Sequence, residues 1–269
     1  EPILIPHHEA LVDSNSDGED SDISDTIKVH VRGRHQDTLN AFDRNPDEMM
    51  KLVATVVESE DFQVKDAESV PLASRLANYL PGLSRKGVKL FGGPSGINWI
   101  EASDHFVCRK AHQVKFSRFL ADGDDEAENI LEAMSFQTLT HLAWRYRQWY
   151  RSIPLLAAIA APPLREVLVQ MQATPTMNPD HRSPFVVYSC HDVTILALLY
   201  GIGADFLADE TKGDWRFWPA YGTTLVFELI RIGEDASQES HAIRIRLNDK
   251  PIALVNLLKY QQEEKEGGD

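Results

Sequence analysis

An imidazole beside a carboxylate, His191-Asp192, stands where strand-forming residues give way to helix-forming ones. Phe185-Val186-Val187-Tyr188 is aromatic and β-branched, which predicts a strand buried on both faces. Val193 to Tyr200 is apolar enough for a buried helix closed by Gly201. The pair therefore falls at a strand-to-helix junction. There the free amides and positive dipole end of the following helix face a crevice suited to anions. A histidine in that place can hold a phosphate, and a carboxyl can move a proton. Aspartate is also a good helix N-cap, and a neighbouring histidine can be an ordinary half-buried side chain, so two residues alone leave both readings open.

Other groups compete for attention. Ile27 to Arg32 alternates apolar and basic residues, as a half-exposed strand does, and Arg34-His35-Gln36-Asp37 after it reads as a surface strand end. Asp13-x-Asn15-x-Asp17-Gly18 copies the first half of a calcium loop, but Ser24 stands where a bidentate Glu belongs and Asp20 where an apolar residue is usual. It reads as a plain acidic loop. His7, His8, His30 and His35 match no closed metal site, so no metal is expected. Cys190 beside His191 suggests thiol chemistry, but sequence neighbours at a strand end point apart and no Cys-x5-Arg phosphate cradle follows. Gly92-Gly93-Pro94-Ser95-Gly96 is a turn cluster, since Ile97-Asn98 replaces the Lys-Ser/Thr of a phosphate loop.

Composition narrows the partners. The chain has 269 residues, 43% hydrophobic and 25% charged, which suits one large domain or a domain with an insert. A net charge of −14 argues against nucleic acid, although local donors can still hold a small phosphorylated substrate or ligand. No run approaches the roughly 18 apolar residues of a membrane span, so no membrane partner is expected. Two cysteines and no Asn-x-Ser/Thr acceptor lean towards a reducing, cytoplasmic setting. The first residue is Glu1, and Ile3-Leu4-Ile5 looks like the middle of something longer. Oligomeric state is not legible.

The elements that must position His191 and Asp192 follow in order. Residues 1–26 form a lead-in and an acidic, solvated loop, 27–260 a single α/β domain, and 261–269 a charged tail. About 45–170 is largely helical: a helix after Asn45-Pro46, another over Val70 to Leu80, a third over Ile97 to Ala111, and a long aromatic one over Ile130 to Tyr150. In that long helix Leu139, Leu142, Ala143, Tyr146 and Tyr150 recur at helical spacing, and Trp144 and Trp149 read as core or interface residues. Pro162-Pro163 predicts the start of a short helix over Leu164 to Met171. Thr223 to Ile230 and His241 to Asn248 alternate as antiparallel neighbours. The fold class expected is α/β, a mostly parallel sheet flanked by helices with a helical insert.

Ser189-Cys190-His191-Asp192-Val193-Thr194-Ile195 resembles the His-Asp segment of the acid phosphatase and phytase branch of the histidine phosphatase superfamily, usually Ser-Ala/Gly-His-Asp-Thr-Thr. Three further segments are similar to that family in the same order. Asp104 to His112 matches its Asp-x-x-x-Cys-x-x-x-His segment. Ala160 to Leu168 is similar to its Gly-Gly-x-Leu-x-x-Glu-Ile-Leu helix, and Trp218 to Leu229 to its Pro-Tyr/Phe-Ala-Ser-x-Leu-x-Phe-Glu-Leu strand.

The resemblance implies a two-step phosphomonoester hydrolysis without cofactors. A histidine in an Arg-His-Gly-x-Arg-x-Pro motif attacks phosphorus, arginines and a second histidine hold the oxygens, and the aspartate of the His-Asp pair protonates the leaving alcohol. His191 would be the phosphate-binding second histidine and Asp192 the proton donor, with an acidic working pH. The chain departs from the family at one decisive place: it contains no Arg-His-Gly triplet. Arg34-His35-Gln36 is the near-match, but Gln replaces the glycine that lets backbone approach phosphate. The expectation is a histidine-phosphatase-like fold missing its first strand or strands, and a polypeptide that alone is inactive or feeble. The alternative is a non-catalytic relative that binds a phosphorylated ligand or protein partner.

Overall fold

Asn45-Pro46 starts the helical part where the spacing predicts it. A computed structural model of the chain describes residues 30–83, 96–116, 125–177, 185–208, 216–232 and 240–255. Helix α1 (Ala41–Arg44) is followed directly by α2 (Pro46–Val57), whose Pro46 needs no amide partner in the first turn and whose Asp47 and Glu48 face the positive dipole end. Met49, Val53 and Val57 form its buried stripe. Ser59 caps α3 (Glu60–Ala67) by accepting from the Phe62 amide, and α4 (Val70–Tyr79) buries Ala73 and Leu76. Asn98 caps α5 (Trp99–Ala111), its Oδ1 accepting from the amides of Ile100 at 3.1 Å and Glu101 at 3.4 Å. The long helix α6 (Asp125–Arg151) then runs across α4 and α5, with Leu131, Met134, Tyr146, Trp149 and Tyr150 in the core.

The next helix corrects an expectation. Pro162-Pro163 does not begin a helix but lies inside α7 (Ile153–Ala173), which starts behind Ser152 with Pro154 in its first turn. An interior proline removes the bond to the carbonyl four residues earlier. For Pro162 that carbonyl is Ala158, and it accepts instead from Arg44 Nη2 at 3.0 Å. At Pro162, a side chain from α1 replaces the missing donor. The expectation of no span-length apolar run also changes: the stretch Ile153–Thr176 is long and apolar enough to cross a membrane, by length and composition. Here it lies against α2, α6 and α8 (Asp192–Gly201).

Helix α8 is apolar on every side and is enclosed accordingly. Leu196, Ala197 and Leu199 are fully or almost fully buried. Gly201 lies so close to α7 that a Cβ there would stand 2.9 Å from Ala160 Cβ and 3.3 Å from Leu164 Cδ1. Glycine at this position sets how near the two helices come. Chain direction then reverses through Gly203, at φ +70°, into the short α9 (Asp205–Ala208).

The sheet differs from the expected one. β1 (Leu225–Ile232), β2 (Ser240–Leu247) and β3 (Lys250–Pro251) form an antiparallel sheet in that order, with Leu225 opposite Leu247 and Ile232 opposite Ser240. The predicted antiparallel pair is therefore present, while no parallel pairing occurs among the described residues. Phe185 to Tyr188 joins no ladder among the described residues, and Phe185, Val186 and Val187 are 76%, 50% and 74% exposed, so the expected doubly buried strand is not formed. Without a neighbouring strand on either side, an extended segment leaves its side chains in solvent. The same holds for the end of the predicted strand Ile27 to Arg32: Val31 is exposed and unladdered. The acidic loop with its calcium-like half motif, the charged tail, and most of the glycine cluster lie outside the described residues.

Two buried charge networks fix the elements. Glu166 on α7 accepts from Arg32 through both carboxylate oxygens, from Thr38 Oγ1 at 2.8 Å and from Tyr188 Oη at 3.2 Å. Asp66 at the end of α3 accepts from His141 Nε2 at 2.9 Å and Arg145 Nη1 at 2.5 Å, both on α6.

Replacing Gly201 by alanine is expected to force α7 and α8 apart and lower stability by about 1–3 kcal/mol in chemical denaturation, the usual size of an overpacking penalty; a neutral Gly201→Ala would show that the approach is not tight. The Arg32 guanidinium holds the Glu166 carboxyl below the ordinary carboxylate range. Its contribution is therefore present above the unfolded carboxyl's ordinary pKa and is lost as pH falls through the lower folded value. Glu166→Gln should lower stability at neutral pH by about 1–3 kcal/mol and flatten the acid side of the stability profile, measured by urea unfolding from pH 3 to 7.

Candidate functional site

Helix α8 ends in its only polar turn, and that turn carries the candidate chemistry. His191 is the N-cap residue, with extended backbone, and its carbonyl accepts from the amides of Thr194 at 3.0 Å and Ile195 at 3.2 Å. The His191 side chain is exposed and makes no hydrogen bond to the described residues. Asp192 is held on both oxygens: Oδ1 accepts from the Val193 amide at 2.7 Å and Oδ2 from the indole Nε1 of Trp218 at 2.7 Å. One residue is thus open to a ligand while its neighbour is fixed. Thr194 Oγ1 donates to the Leu39 carbonyl at 2.9 Å, and Tyr150 Oη to the Val193 carbonyl at 2.8 Å, so the turn is anchored from α1's approach and from α6.

A second carboxyl belongs to the same neighbourhood. Burial pushes the Asp104 carboxyl on α5 up, and the charges of Asp192 and Glu101 add to this. The two carboxyls are held differently: Asp192 accepts a hydrogen bond on each oxygen, while burial favours the protonated form of Asp104. One turn along α5, Cys108 Sγ lies 3.1 Å from Tyr221 Oη. The Trp218 ring meets Tyr146 of α6 edge-on at 5.2 Å, and burial together with the Asp192 and Asp104 charges keeps the Tyr146 phenol far above its ordinary value. Cys190 is also held protonated, by burial first and then by Asp192 and Asp37, which removes the thiolate that cysteine chemistry would need.

The segments singled out by pattern converge. Asp104 and Cys108, His191 and Asp192, and Trp218 and Tyr221 come from three of the four resembling stretches and meet at the α8 N-terminus. Glu166, from the fourth, binds Tyr188 at the end of the segment that leads into His191. Arg34-His35-Gln36 forms an exposed 3-10 turn in which Arg34 pairs with Asp43 at 2.9 Å. His30 is exposed too, and His7 and His8 lie outside the described residues. No group of three metal-binding side chains occurs among the described residues.

Sequence reasoning placed Trp218 and Asp104 in resembling segments and assigned neither a role in the site. The signal for Trp218 was its place directly before Pro219 in a resembling segment. A tryptophan there both packs and donates, and only the donor matters to Asp192. Trp218→Phe keeps the ring against Tyr146 and removes the donor; the denaturation midpoint is expected to fall by an amount equivalent to about 1.5–3 kcal/mol, and an unchanged midpoint would show that the bond is not made in solution.

Comparison with known proteins adds one finding. No curated protein and no solved structure matches the chain. The sequence profile of the histidine phosphatase superfamily (branch 2) matches residues 9–248, nearly the whole chain and all of the segments that meet at His191 and Asp192. The chain belongs to the histidine phosphatase superfamily, branch 2.

Proposed function

We propose that the chain carries the assisting half of an acid phosphatase-type phosphomonoester hydrolase. His191 and the α8 amides receive the phosphate oxygens, and Asp192, with Asp104 beside it, supplies the proton to the leaving alcohol. The observation that carries this reading is the superfamily match over residues 9–248 together with the exposed His191 and doubly anchored Asp192 at one helix N-terminus. A helix N-terminus suits a phosphate, and a carboxyl with a proton beside the leaving oxygen suits general acid catalysis. The substrate class is a small phosphate monoester, with no cofactor.

Nucleophilic attack is the missing part. No Arg-His-Gly triplet occurs in the sequence, and the near-match His35 sits on a surface turn whose Arg34 already pairs with Asp43. Turnover by these residues alone is therefore feeble. A second reading, a non-catalytic relative that binds a phosphorylated ligand or partner, draws support from the same lack of an Arg-His-Gly triplet beside an exposed His191 at a helix N-terminus.

The test is hydrolysis of p-nitrophenyl phosphate by the 269-residue chain, beside thermal shifts with inorganic phosphate. The expected result is turnover near background and a phosphate-dependent stabilisation that His191→Ala removes. Vigorous turnover abolished by His191→Ala would sink the inactive reading, and no phosphate stabilisation would sink both.

A further inference from the structure

Helix α6 presents a second face away from Asp192. There Phe136, His141, Trp144 and Arg151, together with Lys65 and Arg75 from α3 and α4, line a groove of about 820 Å³. Its size lies within the range of about 300–1,000 Å³ typical of small-molecule sites. Neither His191 nor Asp192 borders it.

The charge of the groove runs against that of the chain. In a protein of net charge −14, four of its lining residues are basic, Lys65, Arg75, Arg147 and Arg151. The one lining carboxylate, Glu68, is taken up by Lys65. Arg75 is exposed and has no ion-pair partner among the described residues. Arg147 is buried and donates to the Leu207 carbonyl at 2.6 Å, so Arg75 is the cation that an anion entering here would meet. The apolar part of the wall is aromatic: Phe136 is 65% exposed, and the half-buried Trp144 ring rests on Phe62 at 4.9 Å and still borders the groove.

His141 supplies the polar anchor. Its ring lies 4.4 Å from Trp99 and is stacked on Trp144 at 5.3 Å, while Nε2 is bound to the fully buried Asp66, which Arg145 also holds. Burial pushes the imidazole towards its neutral form, against the raising effect of Asp66 and with the lowering effect of Arg145 and Lys65. With Nε2–H directed at a carboxylate, Nδ1 of the neutral ring is an acceptor. Nδ1 makes no hydrogen bond to the described residues and is not among the buried unpartnered atoms, so it opens on the groove that His141 lines.

We propose that this groove binds a small aromatic anion that carries a hydroxyl or N–H donor, at a site separate from the phosphate site. The ring packs against Phe136 and the solvent-facing part of Trp144, the acidic group faces Arg75, and the donor meets His141 Nδ1. Aromatic packing supplies affinity, Arg75 selects an anion, and the fixed imidazole selects a donor over an analogue without one.

The probe is 6-hydroxynaphthalene-2-sulfonate, titrated into the full chain by calorimetry with tryptophan fluorescence as second readout. Naphthalene-2-sulfonate lacks the donor and 2-naphthol lacks the anion, so the histidine is tested without disturbing the buried Asp66 network. Each analogue should bind about tenfold or more weaker, the loss expected for one contact. Arg75→Glu and Trp144→Leu, each confirmed folded by its thermal melt, should weaken the full probe to a similar degree or more. His191→Ala should leave binding unchanged, which separates this site from the phosphate site. No binding at millimolar probe, equal binding of the two analogues and the probe, or binding indifferent to Arg75→Glu and Trp144→Leu would overturn the proposal. So would loss of binding in His191→Ala.

Discussion

A helix that is apolar all round has to be enclosed all round, and α8 sets that constraint for the molecule. Burying each large side chain on it contributes about 1.5–3 kcal/mol, provided neighbours close every side. Helix α7 closes one side at the Gly201 approach to Ala160, and α6 another, with the Tyr150 ring on Tyr200 at 5.5 Å. The chain before α1 closes a third through the Leu39 carbonyl on Thr194. Polar chemistry is left only the N-terminal turn. The position of His191 and Asp192 follows from that enclosure as much as from their own side chains.

The arginines nearest this framework are committed to holding it. Arg32 is matched to Glu166, Arg44 replaces the donor that Pro162 lacks, Arg145 neutralises the buried Asp66, and Arg109 binds Glu128 and Glu132. Breaking a buried pair by removing one partner costs about 3–5 kcal/mol, which applies to Arg145 on Asp66; the part-buried bonds of Arg32 and Arg109 and the carbonyl bond of Arg44 cost less to redirect. Around the α8 N-terminus the charges nearest Asp192 are instead carboxyls, as the raised Asp104 shows. A phosphate there depends on His191 and the helix amides. That electrostatic balance agrees with an assisting role for the pair and with weak action by the described residues alone.

The sequence exposed what depends on local periodicity. The helix after Asn45-Pro46, the one over Val70 to Leu80, the Asn98-capped α5 and the β1–β2 pair all carry strong local patterns, and each forms nearly where those patterns end. What was not legible depends on distant partners. Pro162-Pro163 disfavours a helix by its own chemistry, and the donor that replaces the amide missing at Pro162, Arg44, lies far along the chain. Phe185 to Val187 has the composition of a core strand, but composition cannot say whether neighbouring strands are at hand. His191 and Asp192 were legible as a pair because their types and their junction are local. Trp218 and Asp104 were not, since a hydrogen bond and a shared charge depend on three-dimensional proximity.

Helix α6 shows how a periodicity search can describe one side of an element and pass over the other. The apolar stripe Leu139, Leu142, Ala143, Tyr146 and Tyr150 points to the face that supports α8, and the structure places Tyr146 and Tyr150 there. His141, Trp144, Gln148 and Arg151 recur at the same helical spacing, but their mixed polarity gives no hydrophobic signal. Trp144 and Trp149 had the same expected role and separate on this basis, Trp149 into the core and Trp144 onto the groove. The rings of this stripe rest on the core, Trp144 on Phe62 at 4.9 Å and His141 on Trp99 at 4.4 Å, while burying its charges as well would cost more than the rings return. Its position beside a groove is therefore the arrangement that leaves both the rings and the charges in a favourable environment.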